Sequence, residues 1–346
     1  MAGGHTRVDG IELAKPVLST YARQNLVWQR HVHALPSRTT GPRDQYQFLR
    51  ASRRRQAEIL RGSVPASEGY RDLVFATLLK LRPLSRRPLT LISDATWEVG
   101  SAALEHRLPF LAPAIPRHAK LVIRARYGEH VRYGVLSSAE VATFPRTWRV
   151  PAERVVFTPF PHTLYDGGED RPTSTGDYLF AGGNSLRDYA LLERALEIAP
   201  QRTIVAGRWR PERPSEHITA GQVPKDRYGD LLAGARACVV PPRRAERSAG
   251  QQTYLNAMVL GKPVVVTDAP GVRDYVQHGV TGLVVDPEPT ALAEAIERVM
   301  DPHRAEENAA MGRRAREAVL ARFTPDAYFN GLLRVVGALD ELAAEA

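Results

Sequence analysis

The sequence predicts an α/β protein built as two parallel-sheet domains, and three observations lead there. Between Ser248 and Pro287 a small-residue turn, a short helix, a buried strand, a Pro270-Gly271 turn, another short helix and a second strand follow one another, the alternation that builds parallel sheets. A second strand, glycine turn and helix start occurs over Tyr178–Tyr189. A chain of 346 residues is long enough for two domains that each bury a core.

Residues 1 to 163 are assigned to the first domain. Val17-Leu18 and Leu26-Val27 suit the starts of short strands, and Gly3-Gly4 precedes both. Gln45 to Arg61 has helical spacing, with Phe48, Ile59 and Leu60 on one side and Arg50, Arg53, Arg54, Arg55 and Arg61 elsewhere. Such a basic face either lies on an anionic membrane surface or is simply solvated. Tyr70 to Leu81 reads as a helix through Leu73, Phe75, Leu78 and Leu79, and Leu89–Ile92 as a strand ending at Ser93-Asp94, where the aspartate suits a helix N-cap. His118 to Tyr133 is a second basic helical stretch. Tyr133–Leu136 is a strand leading to a helix that Ser137 or Ser138 can cap, and Val150–Pro159 closes the domain.

Residues 164 to 176, rich in Gly, Asp, Pro, Ser and Thr without periodicity, form the linker, and 177 to 346 the second domain. That domain opens with strand Tyr178–Ala181, then Gly182-Gly183-Asn184 and a helix over 190–198. Backbone N–H groups and the helix dipole favour an anion at such a turn, the glycines let a phosphate come close, and Arg187 can bind it bidentately. Strand Thr203–Gly207 precedes Arg208 on a neighbouring loop. Tyr228–Ala237 reads as a helix and Cys238–Val240 as a buried strand, followed by a charged loop with Arg243, Arg244, Glu246 and Arg247. An amphipathic helix carrying Tyr254, Leu255, Met258 and Leu260 ends at Gly261, which accepts a left-handed backbone. Val264–Thr267 and Leu283–Val285 are strands, with a short helix over 272–278 between them. Helices over 291–300, 309–323 and 327–339 close the chain.

Composition narrows the function classes. Apolar residues at 43% and charged residues at 25% are ordinary for a soluble globular protein. Cys238 is the single cysteine, so no disulfide forms within the chain, which fits a reducing compartment. No apolar run has the length of a membrane span, so the expected location is cytoplasmic, with peripheral contact at the inner membrane face through the basic helices left open. The net charge of +9 is spread along the chain as arginine, with lysine only at positions 15, 80, 120, 225 and 262. With no zinc-ligand pattern or aromatic stacking motif, nucleic acid is not expected as a partner.

The ordered residues Ala257-Met258, Gly261-Lys262-Pro263-Val264-Val265, Gly271, Gly279, Thr281-Gly282-Leu283-Val284-Val285 and Pro287 carry a resemblance. The stretch resembles the donor-binding region of retaining glycosyltransferases of the GT-B fold, family 4 (glycosyl transferases group 1). The resemblance implies two Rossmann-like domains facing each other across a cleft, with the last helix packing back on the first domain. It implies transfer of a sugar from a nucleotide-diphospho-sugar to an acceptor hydroxyl, with retention and with neither metal nor other cofactor. Asp94 takes the place of a histidine that faces the reacting sugar, Arg187 that of a diphosphate-binding cation, and Ser248 that of a catalytic-site glutamate. Asp94 therefore stands open between cap and catalytic contact. The implied donor-binding set is Gly182, Gly183, Asn184, Arg208, Arg244, Ala249, Gly250, Gln251, Gln252, Thr253 and Asn256. Two glutamates usual eight residues apart in the family are replaced by Ser248 and Asn256. This keeps two other functions in play: a non-catalytic partner subunit and a sugar-nucleotide epimerase.

Overall fold

The computed structural model describes residues 7–8, 11–12, 17–19, 25–34, 57–61, 89–96, 130–164 and 170–337. The chain divides into two compact units, Met1–Pro159 with Tyr328–Ala346, and Phe160–Ala327.

In the amino-terminal unit a short antiparallel pair, β1 (Arg7–Val8) and β2 (Ile11–Glu12), precedes a parallel sheet. Its strands are β3 (Val17–Ser19), β4 (Val32–Ala34), β5 (Ala57–Arg61), β6 (Leu89–Ser93), β7 (Val131–Val135) and β8 (Val155–Phe157), in the order β4-β3-β5-β6-β7-β8. The stretch beginning Leu26-Val27 is a helix rather than a strand, α1 (Leu26–His31). The Asn25 side chain accepts the Trp28 N–H at 3.0 Å and so nucleates the turn. Ala57–Arg61 is likewise a strand, not the end of a basic helix: it pairs with β3 on one side and β6 on the other, and Ile59 is wholly buried. Sheet pairing overrides the local helical spacing there. Val131–Tyr133, expected as the end of a second basic helix, belongs to β7 for the same reason. The remainder of both basic stretches, the 70–81 helix and Gly3-Gly4 lie outside the described residues.

Ser137 caps the next helix, α2 (Ser138–Trp148). Its Oγ accepts the Glu140 N–H at 3.2 Å and donates to the Glu140 carboxylate at 2.8 Å, a reciprocal box that fixes the chain leaving β7.

The carboxyl-terminal unit has six parallel strands: β9 (Leu179–Gly182), β10 (Thr203–Ala206), β11 (Ile218–Gly221), β12 (Ala237–Val240), β13 (Val264–Thr267) and β14 (Leu283–Val285). They lie in the order β11-β10-β9-β12-β13-β14, so the winding reverses between β9 and β12. β9, β12 and β13 are buried at every position, as strands covered on both faces must be, and Cys238 is among them. The helices are α3 (Tyr189–Ile198), α4 (Lys225–Gly234), α5 (Gln251–Val259), α6 (Pro289–Met300) and α7 (Ala305–Arg322). The expected helix over 272–278 contracts to a single 3-10 turn, Val272–Asp274. α5 is not amphipathic: every residue except Gln252 is buried.

α8 (Pro325–Val335) begins in the carboxyl-terminal unit and ends in the amino-terminal one. There Phe329, Leu332 and Leu333 join the core of Val17, Trp28, Ile59 and Leu91, with the Trp28 and Phe329 rings 4.9 Å apart. Residues 170–176, expected as linker, dock on the carboxyl-terminal unit. Ser174 N–H donates to Ala233 at 3.2 Å and Gly176 N–H to Gly234 at 2.9 Å. The Lys262 ammonium donates to the Ser174 and Ala235 carbonyls at 2.6 and 2.9 Å.

Two tests follow from this packing. A Cβ on Gly312 of α7 would fall inside the contact distance of the Gly261 carbonyl, so Gly312→Ala should cost about 1–3 kcal/mol in urea unfolding. Burial lowers Lys262 from its ordinary 10.5 to about 8. Between those values the unfolded chain binds more protons than the folded one, so this group adds stability as pH rises through that window. Thermal melts across it should show a rise that Lys262→Met loses.

Candidate functional site

In a doubly wound sheet, ligands bind beyond the carboxyl ends of the strands where the winding reverses, here the ends of β9 and β12. From β9 the chain turns through Gly182-Gly183-Asn184-Ser185-Leu186-Arg187. Gly183 has φ +98° and Leu186 φ +49°, the latter a left-handed backbone that a bulky side chain seldom adopts. A Cβ on Gly182 would collide with the Tyr228 hydroxyl, and one on Gly183 would lie 2.7 Å from Arg187 Nη2. Both glycines are therefore spaces that the Tyr228 and Arg187 side chains occupy.

Arg187 folds back beneath this turn. Nε donates to the Gly182 carbonyl at 3.1 Å, Nη1 to the Ser185 carbonyl at 2.6 Å and Nη2 to the Thr253 hydroxyl at 3.3 Å. All three are neutral acceptors, and among the described residues no carboxylate pairs with it. Burial lowers its pKa, yet a guanidinium keeps its charge at neutral pH. Tyr189, Tyr228 and Tyr254 surround it. Burial likewise pushes Tyr228 up to about 12, so it stays a neutral hydrogen-bonding group. The Tyr228 and Thr253 hydroxyls lie 3.3 Å apart, and Thr253 also donates to Gly182 at 3.3 Å. Tyr189 donates to the Gly183 carbonyl at 2.7 Å. A half-buried cation held only by neutral oxygens retains its attraction for an anion.

Thr253 stands in the first turn of α5, whose N-cap, Gly250 (φ +104°), supplies no side-chain cap. Thr253 N–H donates to the Gly250 carbonyl at 2.9 Å, and the positive end of the helix dipole favours an anion at this turn. Ala249 is buried there and Gln252 is exposed. Gln251 donates to the Ser248 hydroxyl at 2.6 Å, and Ser248 is itself buried.

The remaining expected donor residues divide. Asn184 is turned to the next loop, where its Oδ1 accepts the Arg208 N–H at 2.6 Å; the Arg208 side chain is exposed. Arg244 anchors on the Asp268 carbonyl at 3.2 Å. Asn256 does not join the cluster. Its Oδ1 accepts the Thr163 N–H at 2.7 Å and its Nδ2 donates to the Thr163 hydroxyl at 3.0 Å, so the amide clasps the chain entering this unit. Asp94 belongs to the amino-terminal unit. It sits at the end of β6 with φ +51°, and its Oδ1 accepts the Tyr328 hydroxyl of α8 at 2.7 Å. A strained non-glycine residue at a strand end is typical of functional positions. Any helix that Asp94 caps lies outside the described residues.

Residues 188–302 match the family model of the glycosyl transferases group 1. That stretch contains α3 to α6 and strands β10 to β14. The chain is also 34% identical over 83 residues to the human alpha-1,3/1,6-mannosyltransferase ALG2, covering 24% of this chain and 19% of the relative's length. Among solved structures, Anabaena HepE in complex with UDP superposes with TM-score 0.61 at 15% identity, covering 91% of this chain and 88% of that one. A sucrose-phosphate synthase from Thermosynechococcus elongatus gives 0.59 at 18% identity, over 91% and 84%. With the two parallel sheets above, these likenesses establish the GT-B fold. Among the described residues, no group of three or more His, Cys, Asp or Glu side chains could hold a metal ion.

Tyr228, Thr163 and Tyr328 escaped sequence reasoning because their partners lie 25, 93 and 234 residues away. If Asn256 acts as a clasp, Asn256→Ala should cost about 1–3 kcal/mol in chemical denaturation by stranding the Thr163 N–H.

Proposed function

We propose that this protein is a glycosyltransferase that moves a sugar from a nucleotide-diphospho-sugar to an acceptor hydroxyl, with retention of configuration and without a metal. The observation that carries it is Arg187, half-buried under the glycine turn at the β9/β12 reversal with no carboxylate partner among the described residues. The group 1 match over 188–302 supports sugar transfer, and HepE, a protein of the same fold, has been solved with UDP and with UDP-glucose.

In this proposal the donor diphosphate lies between Arg187 and the N-terminus of α5. Those groups neutralise the charge that grows on the departing phosphate as the sugar bond breaks. The departing phosphate oxygen takes the acceptor's proton, so the bond to the acceptor oxygen forms on the face the phosphate leaves. Ser248 is then tolerable where the family has a carboxylate, because no step requires a carboxylate nucleophile.

The placement of Asn256 favours a second proposal, a nucleotide-binding GT-B partner without turnover, since the position that usually grips ribose is spent on Thr163. Thermal unfolding with UDP, GDP, dTDP and ADP in turn tests both. A nucleotide at about 100 times its Kd should raise Tm by about 2–4 °C, and Arg187→Ala should abolish the shift with native circular dichroism retained. Binding without donor hydrolysis or transfer would leave the partner role, and no shift with any nucleotide would overturn both.

A further inference from the structure

Ribose and deoxyribose differ by one hydroxyl, and a protein tells them apart by bonding it. The two adjacent hydroxyls of a ribose both donate hydrogen, so a group that reads them must accept, and a carboxylate can accept both. From Arg247 to Thr267 the chain has no carboxylate. Near the winding reversal Asp188 caps α3, its carboxylate accepting the Leu191 N–H at 3.1 Å, and Asp268 pairs with Arg273 at 2.9 Å. Glu246 stands exposed on the loop after β12.

The pentose of a nucleotide is bonded directly to its diphosphate, so with the diphosphate on Arg187 it lies next to the start of α5. Asn256 follows Thr253 by three positions, and side chains three apart share one face of a helix, with about 5–6 Å between their Cβ atoms. On that face the Asn256 amide is the polar group one turn beyond the Arg187–Thr253 bond. It is only 2% exposed, and both of its ends are engaged by Thr163. A backbone N–H can only donate, so the Asn256 atom 2.7 Å from the Thr163 nitrogen must be Oδ1. That fixes the amide and turns Nδ2 to the Thr163 hydroxyl at 3.0 Å. The amide's one accepting atom is thereby spent on the protein itself. The chain carrying Thr163 is anchored independently: Phe160 N–H donates to the Tyr275 hydroxyl at 2.9 Å and His162 N–H to the Phe323 carbonyl at 2.9 Å.

We infer that Thr163 occupies Asn256 in place of the donor's pentose, so that the protein does not read the 2′-hydroxyl. It then takes deoxyribonucleoside diphosphates, deoxythymidine diphosphate sugars among them, as readily as their ribose counterparts. This rests on the proposal that a nucleotide diphosphate lies at Arg187. A site that bonds a hydroxyl rejects the analogue lacking it, because a buried partner is left unpaired. Here the partner is already paired within the chain, and removing the hydroxyl strands nothing.

The test titrates the full chain calorimetrically with pairs that differ only in that hydroxyl: UDP and dUDP, GDP and dGDP, ADP and dADP, and dTDP with its ribose form. Whichever base binds, the two Kd values should agree within about fivefold or favour the deoxy form. Asn256→Glu, which supplies a carboxylate, should open a preference for ribose greater than about fivefold. A larger preference for ribose in the unaltered protein, including one that Glu246→Gln removes, overturns the pentose assignment and leaves the donor proposal standing. Asn256→Glu protein with native circular dichroism that binds nucleotide without any new preference overturns the role given to Thr163 and Asn256. If neither member of any pair binds, the donor proposal fails and the pentose assignment with it.

Discussion

A guanidinium held inside a turn by neutral oxygens is the interaction on which the carboxyl-terminal unit is arranged. Arg187 needs the Gly182 and Ser185 carbonyls, and reaching them requires a turn that doubles back on itself. That geometry imposes the left-handed conformations of Gly183 and Leu186 and forbids a Cβ at Gly182, where Tyr228 enters. Thr253 completes the shell and ties the start of α5 to the end of β9. Strain in the turn and the partial burial of a charge both oppose folding. They persist because the flanking strands are buried along their whole length and leave the backbone no freedom to relax.

Much of this unit was legible in the sequence because its signals are local. The β-branched run Val264–Thr267, the left-handed Gly261 and the strand–glycine–helix start at 178–189 each act within a few residues, and the structure has them within a residue or two. α5 misled on one point. Its apolar positions suggest one buried stripe, but it threads the middle of the unit, and Gln251, Thr253 and Asn256 are buried with the rest by bonding to Ser248, Gly182 and Thr163.

The amino-terminal unit was harder to read for a physical reason. Ala57–Arg61 and Val131–Tyr133 sit among arginines whose spacing favours a helix, and only neighbours distant in sequence make them strands. The same holds at the candidate site. Arg187 and the glycines mark a strand–glycine–helix turn through local signals, whereas the bonding of Asn256 to Thr163 is decided by a segment 93 residues away. Leu26–His31 was the exception, a local cap by Asn25 that a strand-like apolar pair concealed.

The path of α8 sets an order of events on the ribosome. Residues 160–327 hold all six strands of the carboxyl-terminal sheet and can close their core once they have emerged. The amino-terminal sheet is translated first, yet Phe329, Leu332 and Leu333, which pack on Trp28 and Leu91, are made only after residues 160–327. The half born first is thus the half finished last, and its apolar surface waits for the rest of the chain at the stage when nascent proteins are most prone to aggregate.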